Sequence, residues 1–146
     1  MSTAGIQDAV GRAIAFYEAL APGDIARLPE VYAANAYFRD PFNDVRGVAE
    51  IQRIFAHMFE NLADCRFAIG DKVVDESAAL LTWDFTFRMR RYRPDTVHAI
   101  HGASHLKFDA EGRIVYHRDY WDAAEELYAK LPLIGPVMRY LKRRLG

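Results

Sequence analysis

The changing hydrophobic period along this chain predicts an α+β fold: a curved antiparallel sheet wrapped around three N-terminal helices, with an added helical tail. Three observations carry that prediction. Up to about residue 62 the apolar residues recur at helical spacing. From there to about residue 121 the period drops to two. Residues 123–146 return to a helical pattern. The 146 residues read as a single domain, with the core over about 5–122 and the tail beyond it.

The first helix follows from Ile6, Val10, Ala13, Ile14, Tyr17 and Leu20, one apolar stripe between about Thr3 and Leu20 that ends at Pro22-Gly23. Asp24 reads as the cap of a second helix, Ile25 to about Ala34, with a kink or a broken first turn at Pro29. A short strand through Phe38 follows. It stops at Asp40, because Pro41 cannot donate to a ladder and forces extended backbone on the residue before it. Val48 to about Leu62 is a third helix, with Ile51, Ile54, Phe55, Met58 and Phe59 buried and His57 beside the stripe.

Residues 66–69 and 72–74 suggest one or two strands. Ala78 to Arg90 is a long one, with Trp83, Phe85, Phe87 and Met89 on one face and Asp84, Thr86, Arg88 and Arg90 on the other. The basic stretch Arg90–Asp95 reads as a solvated hairpin loop. A further strand spans about Thr96 to Phe108, and Asp109–Gly112 turns the chain into a last one, Arg113 to Trp121. Alternation places Val115, His117, Asp119 and Trp121 on one face of that strand and Ile114, Tyr116, Arg118 and Tyr120 on the other. Large residues on both faces predict a central strand covered on both sides. Asp122–Glu125 resembles a capping box opening a helix that ends before Pro132, and Val137–Leu145 forms the last helix.

Composition narrows the function classes. A net charge of -1 leaves no domain-wide positive field for nucleic acid. One cysteine, Cys65, excludes an intramolecular disulfide and a cysteine-rich metal site. His101 and His105 share a strand face about 13 Å apart by strand rise, too far to share a metal ion, so no metal is expected. No apolar run approaches the roughly 20 residues of a membrane span, and the N-terminus lacks a basic-then-apolar leader pattern. Cytoplasmic residence is the expectation. In the tail, Val137, Met138, Tyr140, Leu141 and Leu145 are apolar, while Arg139, Lys142, Arg143 and Arg144 are basic. Packing over the core or across a dimer is preferred to a membrane surface, for which a helix of about 10 residues is short.

The element order, with Gly23-Asp24-Ile25, Tyr32-Ala33, Asp40-Pro41-Phe42, Gly47, Phe108-Asp109, Gly112-Arg113-Ile114 and Tyr120-Trp121, resembles the ketosteroid isomerase and SnoaL-like branch of the nuclear transport factor 2-like superfamily. The resemblance implies a cone with one deep pocket, commonly in a homodimer. It implies that Asp40 stands at the position of the isomerase's general base, and Asp119 at that of the polyketide cyclases' acid/base aspartate, with His117 beside it. The isomerase's two oxyanion donors are missing: Phe16 stands where a tyrosine is expected, Tyr17 is one position off, and Ser104 replaces an aspartate. Losing one such donor costs about 10² to 10³ in rate, so standard steroid isomerisation is not expected.

A pocket lined by Phe16, Tyr17, Phe38, Phe55, Phe59, Trp83, Phe85, Phe87, Ser104 and Trp121 would desolvate its carboxylates and favour proton transfer on a small apolar carbonyl or enol compound, without a cofactor. The alternative is a non-catalytic ligand-binding or dimerising module. It predicts acids tied into salt bridges or a pocket filled by side chains. Asp40 has a structural reading too, as a partner of Arg39, Arg46 or a helix end.

Overall fold

The computed structural model describes residues 2–126 and 135–145. Helix α1, Thr3–Glu18, is capped by the Ser2 hydroxyl, which accepts from the Gly5 amide at 3.1 Å. Ile6, Val10, Ala13 and Tyr17 step by three and four residues and are all buried, so this face lies on the core. Phe16, a third of a turn away, packs beneath the Arg27 guanidinium at 5.9 Å.

The second helix differs from expectation. Pro22–Arg27 is a 3₁₀ turn, and α2 covers only Leu28–Val31, with Pro29 in its first turn. Asp24 belongs to the turn, where it accepts from the Ala21 amide at 2.9 Å and pairs with Arg27 at 3.2 Å. Tyr32–Ala34, read as helix from the sequence, opens strand β1, Tyr32–Arg39. Tyr32 is drawn into the sheet by pairing with Ile114, an interaction no local pattern reveals.

The other strands are β2 (Asp44–Arg46), β3 (Leu62–Val74), β4 (Ala79–Met89), β5 (Val97–Phe108) and β6 (Ile114–Tyr120), with helix α3, Val48–Asn61, between β2 and β3. Their order in the six-stranded sheet is β2-β1-β6-β5-β4-β3. Neighbours are antiparallel except β1 and β6, which run parallel because the chain returns to β1 only after the whole meander. The sheet is therefore mixed. Residues 66–69 and 72–74 belong to one strand, β3, whose register shifts twice against β4.

Strand β6 is central, as its pattern predicts, but its faces need correction. Ile114 is completely buried, although strict alternation puts it on the face opposite His117. The register slips between Lys107 and Phe108, which pair with Tyr116 and Ile114, so Val115 is an extra residue and both Ile114 and His117 turn inward. The outer face carries its own ring contacts. Tyr37 stacks on Tyr116 at 5.6 Å, the Lys107 amine lies 5.2 Å from the same ring, and Arg118 covers Tyr120 at 4.6 Å, leaving Tyr120 half exposed.

The basic hairpin between β4 and β5 has structural partners. Arg88 pairs with Asp64 at 2.6 Å, and Arg90 donates to the carbonyls of Phe59 and Leu62 at the end of α3. Asp122 caps α4, Ala123–Glu126, accepting from the amides of Ala124 and Glu125 at 3.0 and 3.1 Å. The remainder of that helix, toward Pro132, lies outside the described residues. Helix α5 runs Gly135–Leu145 and exposes Val137, Tyr140, Leu141 and Leu145. Among the described residues no helix is long and apolar enough to cross a membrane.

Gly102 on β5 faces Trp83 on β4 in register. A Cβ at 102 would lie 2.6 Å from the indole. Overpacking of this kind costs typically about 1–3 kcal/mol, so Gly102→Ala is expected to lower unfolding stability by that amount and to shift the Trp83 fluorescence. Urea denaturation checks the first, and an emission spectrum of the folded variant the second.

Candidate functional site

The concave face of the sheet and the helices beneath it enclose a cavity of about 590 Å³. One wall is an aromatic ladder in which Phe67 stacks on Phe85 at 4.4 Å, Phe85 on Phe87 at 5.0 Å, and Phe87 on His98 at 5.4 Å. Alternation along β4 builds this wall, since every second residue from Leu81 to Phe87 is buried. Helix α3 contributes Ile54, Phe55 and Met58 to the lining and, at the mouth, Glu50, Arg53, His57 and Asn61.

The deep end is polar, and its groups form one hydrogen-bonded chain. His117 Nε2 lies 2.6 Å from Asp119 Oδ1, and His117 Nδ1 lies 2.6 Å from the Tyr32 hydroxyl, which in turn meets the Tyr17 hydroxyl. From the other side the Ser104 hydroxyl donates to the same Asp119 oxygen at 2.5 Å, and the Trp83 indole N–H donates to Ser104 at 2.8 Å. An ionised Asp119 can only accept, so a neutral His117 carries its proton on Nε2. Tyr32 then donates to Nδ1, and Tyr17 donates to Tyr32. Both bonds to Asp119 fall on Oδ1; among the described residues Oδ2 has no hydrogen-bond partner, and Asp119 lines the cavity. Burial pushes both tyrosine hydroxyls well above their ordinary range, and the charge of Asp119 adds to the rise.

The structure brings most of the predicted site residues together. Asp40, Asp119, His117, Tyr17, Phe38, Phe55, Trp83, Phe85, Phe87, Ser104 and Trp121 all line the cavity. Phe16 and Phe59 do not: both pack around the main core, Phe16 on the far side of α1. Tyr17, the next residue round the helix, continues the inward stripe and takes that place.

Asp40 sits at the mouth, and its carboxylate is occupied by its own turn. Oδ1 accepts from the amides of Phe42 and Asn43 at 2.8 and 2.7 Å, while the Asn43 side-chain amide reaches both oxygens at 3.1 and 3.2 Å. The bond from the Asp40 amide to the Asn43 carbonyl at 2.9 Å closes the loop between β1 and β2. The turn sets Phe42 edge-on to Trp121 at 5.5 Å beside the mouth. Neither Arg39 nor Arg46 is the partner: Arg39 lies 4.0 Å from Asp44, and Arg46 donates to the Asn35 carbonyl. On the outer face His101 pairs with Asp84 at 2.8 Å, and no group of three candidate ligands that could hold a metal occurs among the described residues.

Sequence reasoning missed Tyr32 and the polar stripe of α3. The stripe was readable in principle, since Glu50, Arg53, His57 and Asn61 recur at three- and four-residue steps. Tyr32 was hidden by its assignment to a helix.

A mixed sheet curved over helices around a cavity polar at its deep end is the architecture of a nuclear transport factor 2-like protein. Residues 13–117 match the SnoaL-like domain, and the chain belongs to that family. The matched span holds Tyr17, Tyr32, Asp40, Ser104 and His117 and stops just before Asp119. Comparison with curated proteins found no match. Among solved structures, an NTF2-like protein of unknown function from Burkholderia pseudomallei aligns with TM-score 0.70 at 16% identity, covering 86% of this chain and 95% of that one. A Catenulispora acidiphila protein with a ketosteroid isomerase-like fold, in complex with trimethylamine, gives 0.68 at 16%, covering 82% and 88%. An LEH-like epoxide hydrolase of M. tuberculosis gives 0.68 at 14%, covering 95% and 93%. At these identities the likeness is one of fold.

The Asp40 turn is directly testable. Asp40→Asn keeps an oxygen for the Phe42 and Asn43 amides and should leave stability within about 0.5 kcal/mol, whereas Asp40→Ala removes the acceptor and should cost about 1–2 kcal/mol. Chemical denaturation of the two variants beside the parent distinguishes them.

Proposed function

We propose that the protein binds a small, largely apolar carbonyl or enol compound in its cavity and moves a proton on it without a cofactor, in the manner of an isomerase or cyclase. Asp119 is the group that takes and returns the proton. The observation that carries this reading is the disposition of its two oxygens. Oδ1 is fixed by His117 and Ser104, and Oδ2 has no partner among the described residues, in a cavity with apolar walls. A carboxylate held by His117 and Ser104, with no Arg or Lys partner among the described residues, stays available as a base. His117 orients it, and the aromatic ladder supplies the surface against which an apolar body packs.

Ser104 spends its proton on Asp119, so it does not act as an oxyanion donor of the steroid isomerase kind. That the family resemblance puts a base at Asp40 is set against its turn: the carboxylate there already has structural work, and in this reading Asp40 shapes the mouth. The epoxide hydrolase among the structural neighbours lends weight to small-molecule chemistry in such a cavity. Exchange of the α-protons of 2-tetralone in D₂O, followed by NMR, provides a substrate-independent assay. The protein should accelerate exchange, Asp119→Asn should reduce the acceleration by about 10² or more, and Asp40→Asn should stay within a few-fold. Exchange that Asp119→Asn leaves at the parent rate overturns the assignment.

The second reading, a non-catalytic binding or dimerising module, draws on the same Asp40 turn and on the outer face of β6, where Tyr120 is half exposed. Either reading includes a homodimer. Sedimentation velocity should show a dimer that Tyr116→Glu weakens, and a monomer at tens of micromolar would count against it.

A further inference from the structure

We infer that the buried chain Tyr17–Tyr32–His117 has a reversible polarity set by the protonation of His117, and that this polarity selects whether Tyr17 offers the ligand a lone pair or a proton. The inference rests on the cavity being a ligand site but not on catalysis there. With His117 neutral, the polarity runs inward: Tyr17 donates to Tyr32, Tyr32 to Nδ1, and Nε2 to Asp119. The proton of Tyr17 is then engaged, and only its oxygen lone pair is left for the cavity.

Protonated His117 has two donors and no acceptor. Nε2 still donates to Asp119, now as an ion pair. Nδ1–H must donate to the Tyr32 oxygen, so the Tyr32 proton turns to Tyr17, and the Tyr17 proton turns away from Tyr32. Tyr17 lines the cavity and Tyr32 does not, so the displaced donor is presented where a ligand sits. No heavy atom needs to move. The reversal uses two hydroxyl rotations and one added proton.

The surroundings favour this coupling. The titratable groups facing His117 are Tyr17 of α1, Tyr32 of β1 and Asp119 of β6. Leu106 and Ser104 come from β5 and Phe38 from β1, while Phe55 of α3 packs on the rings of Tyr17 and Phe38; all of these are neutral. Tyr32 stacks on the imidazole with an interplanar angle of 10°, and His117 is 3% exposed, so the protein's own donors dominate its hydrogen bonding. Burial keeps both phenols protonated.

Binding of 2-adamantanone and 2-adamantanol, an acceptor-only ligand that cannot enolise and its donor-bearing counterpart, tests the idea between pH 5.5 and 8.5 by calorimetry. The preference for ketone over alcohol should grow about tenfold as the pH falls, the effect of gaining one hydrogen bond. Tyr17→Phe and Tyr32→Phe should each flatten it. The second variant keeps Tyr17 but cuts its link to His117, so a pH-dependent preference that survives there would assign the effect to Asp119 and overturn the inference. A flat preference in the parent protein would also overturn it while leaving the α-proton exchange result untouched. Nitrogen-15 NMR of His117 needs no variant: the proton should sit on Nε2 at high pH, and a proton on Nδ1 there sinks the inference even if neither probe binds.

Discussion

Asp119 is a partly buried carboxylate, and the deep end of the cavity is arranged around it. An isolated buried carboxylate is expensive, and no Arg or Lys pairs with this one among the described residues. Neutral donors take that role: His117 and Ser104 on one oxygen, each held by a further group, Tyr32 behind the histidine and Trp83 behind the serine. Removing a member leaves its neighbour's polar atom without a partner in a largely buried site, which is destabilising. The arrangement also recruits five elements. α1 supplies Tyr17, β1 Tyr32, β4 Trp83, β5 Ser104, and β6 both His117 and Asp119, so the polar site and the closure of the sheet over the helices depend on each other.

How much of this could be read from the sequence follows the range of the interactions. The wall of β4 was legible because alternation is local: Trp83, Phe85 and Phe87 announce their shared face within five residues. So were His117 and Asp119, two apart on one strand. Ile114 was misplaced because the bulge at Val115 depends on how β6 meets β5, and the residues on β6 carry no mark of it. Tyr32 was misplaced for a related reason. Asp24 marks a helix start and Pro29 only a kink or broken turn within it, and what ends the helix at Val31 is pairing with a strand more than eighty residues away. On α1 the error was smaller. The stripe Ile6-Val10-Ala13 already points to Tyr17, whereas the family resemblance points to Phe16, which lies about 100° round the helix from that stripe.

Asp40 shows the limit of position-level resemblance. Its place after β1 and before a proline is one at which the isomerases keep a base, and the structure does put it on the cavity. Yet a carboxylate that accepts from two backbone amides and a side-chain amide has most of its lone-pair capacity committed. The Asp-Pro-Phe-Asn stretch is accounted for by its loop alone, since Asp and Asn are the residues whose side chains close such turns. The two acids of the cavity thus differ by environment. One holds a loop, and the other is held by a network.

That difference bears on how a ligand would lie. The apolar wall of Phe67, Phe85 and Phe87 and the polar end at Asp119 are at different places in one cavity, with Trp83 bordering both: its ring is 6.0 Å from Phe67, and its N–H is bonded to Ser104. A ligand that fills the aromatic part with hydrocarbon can satisfy Asp119 Oδ2 only by directing an acidic C–H or O–H toward it. Any other orientation leaves that oxygen unpaired as water is displaced, at a cost of about 1–3 kcal/mol or more. In the proposed reading two features would act in concert: burial of apolar area would draw the molecule in, and Asp119 Oδ2, without a partner among the described residues, would decide which end leads.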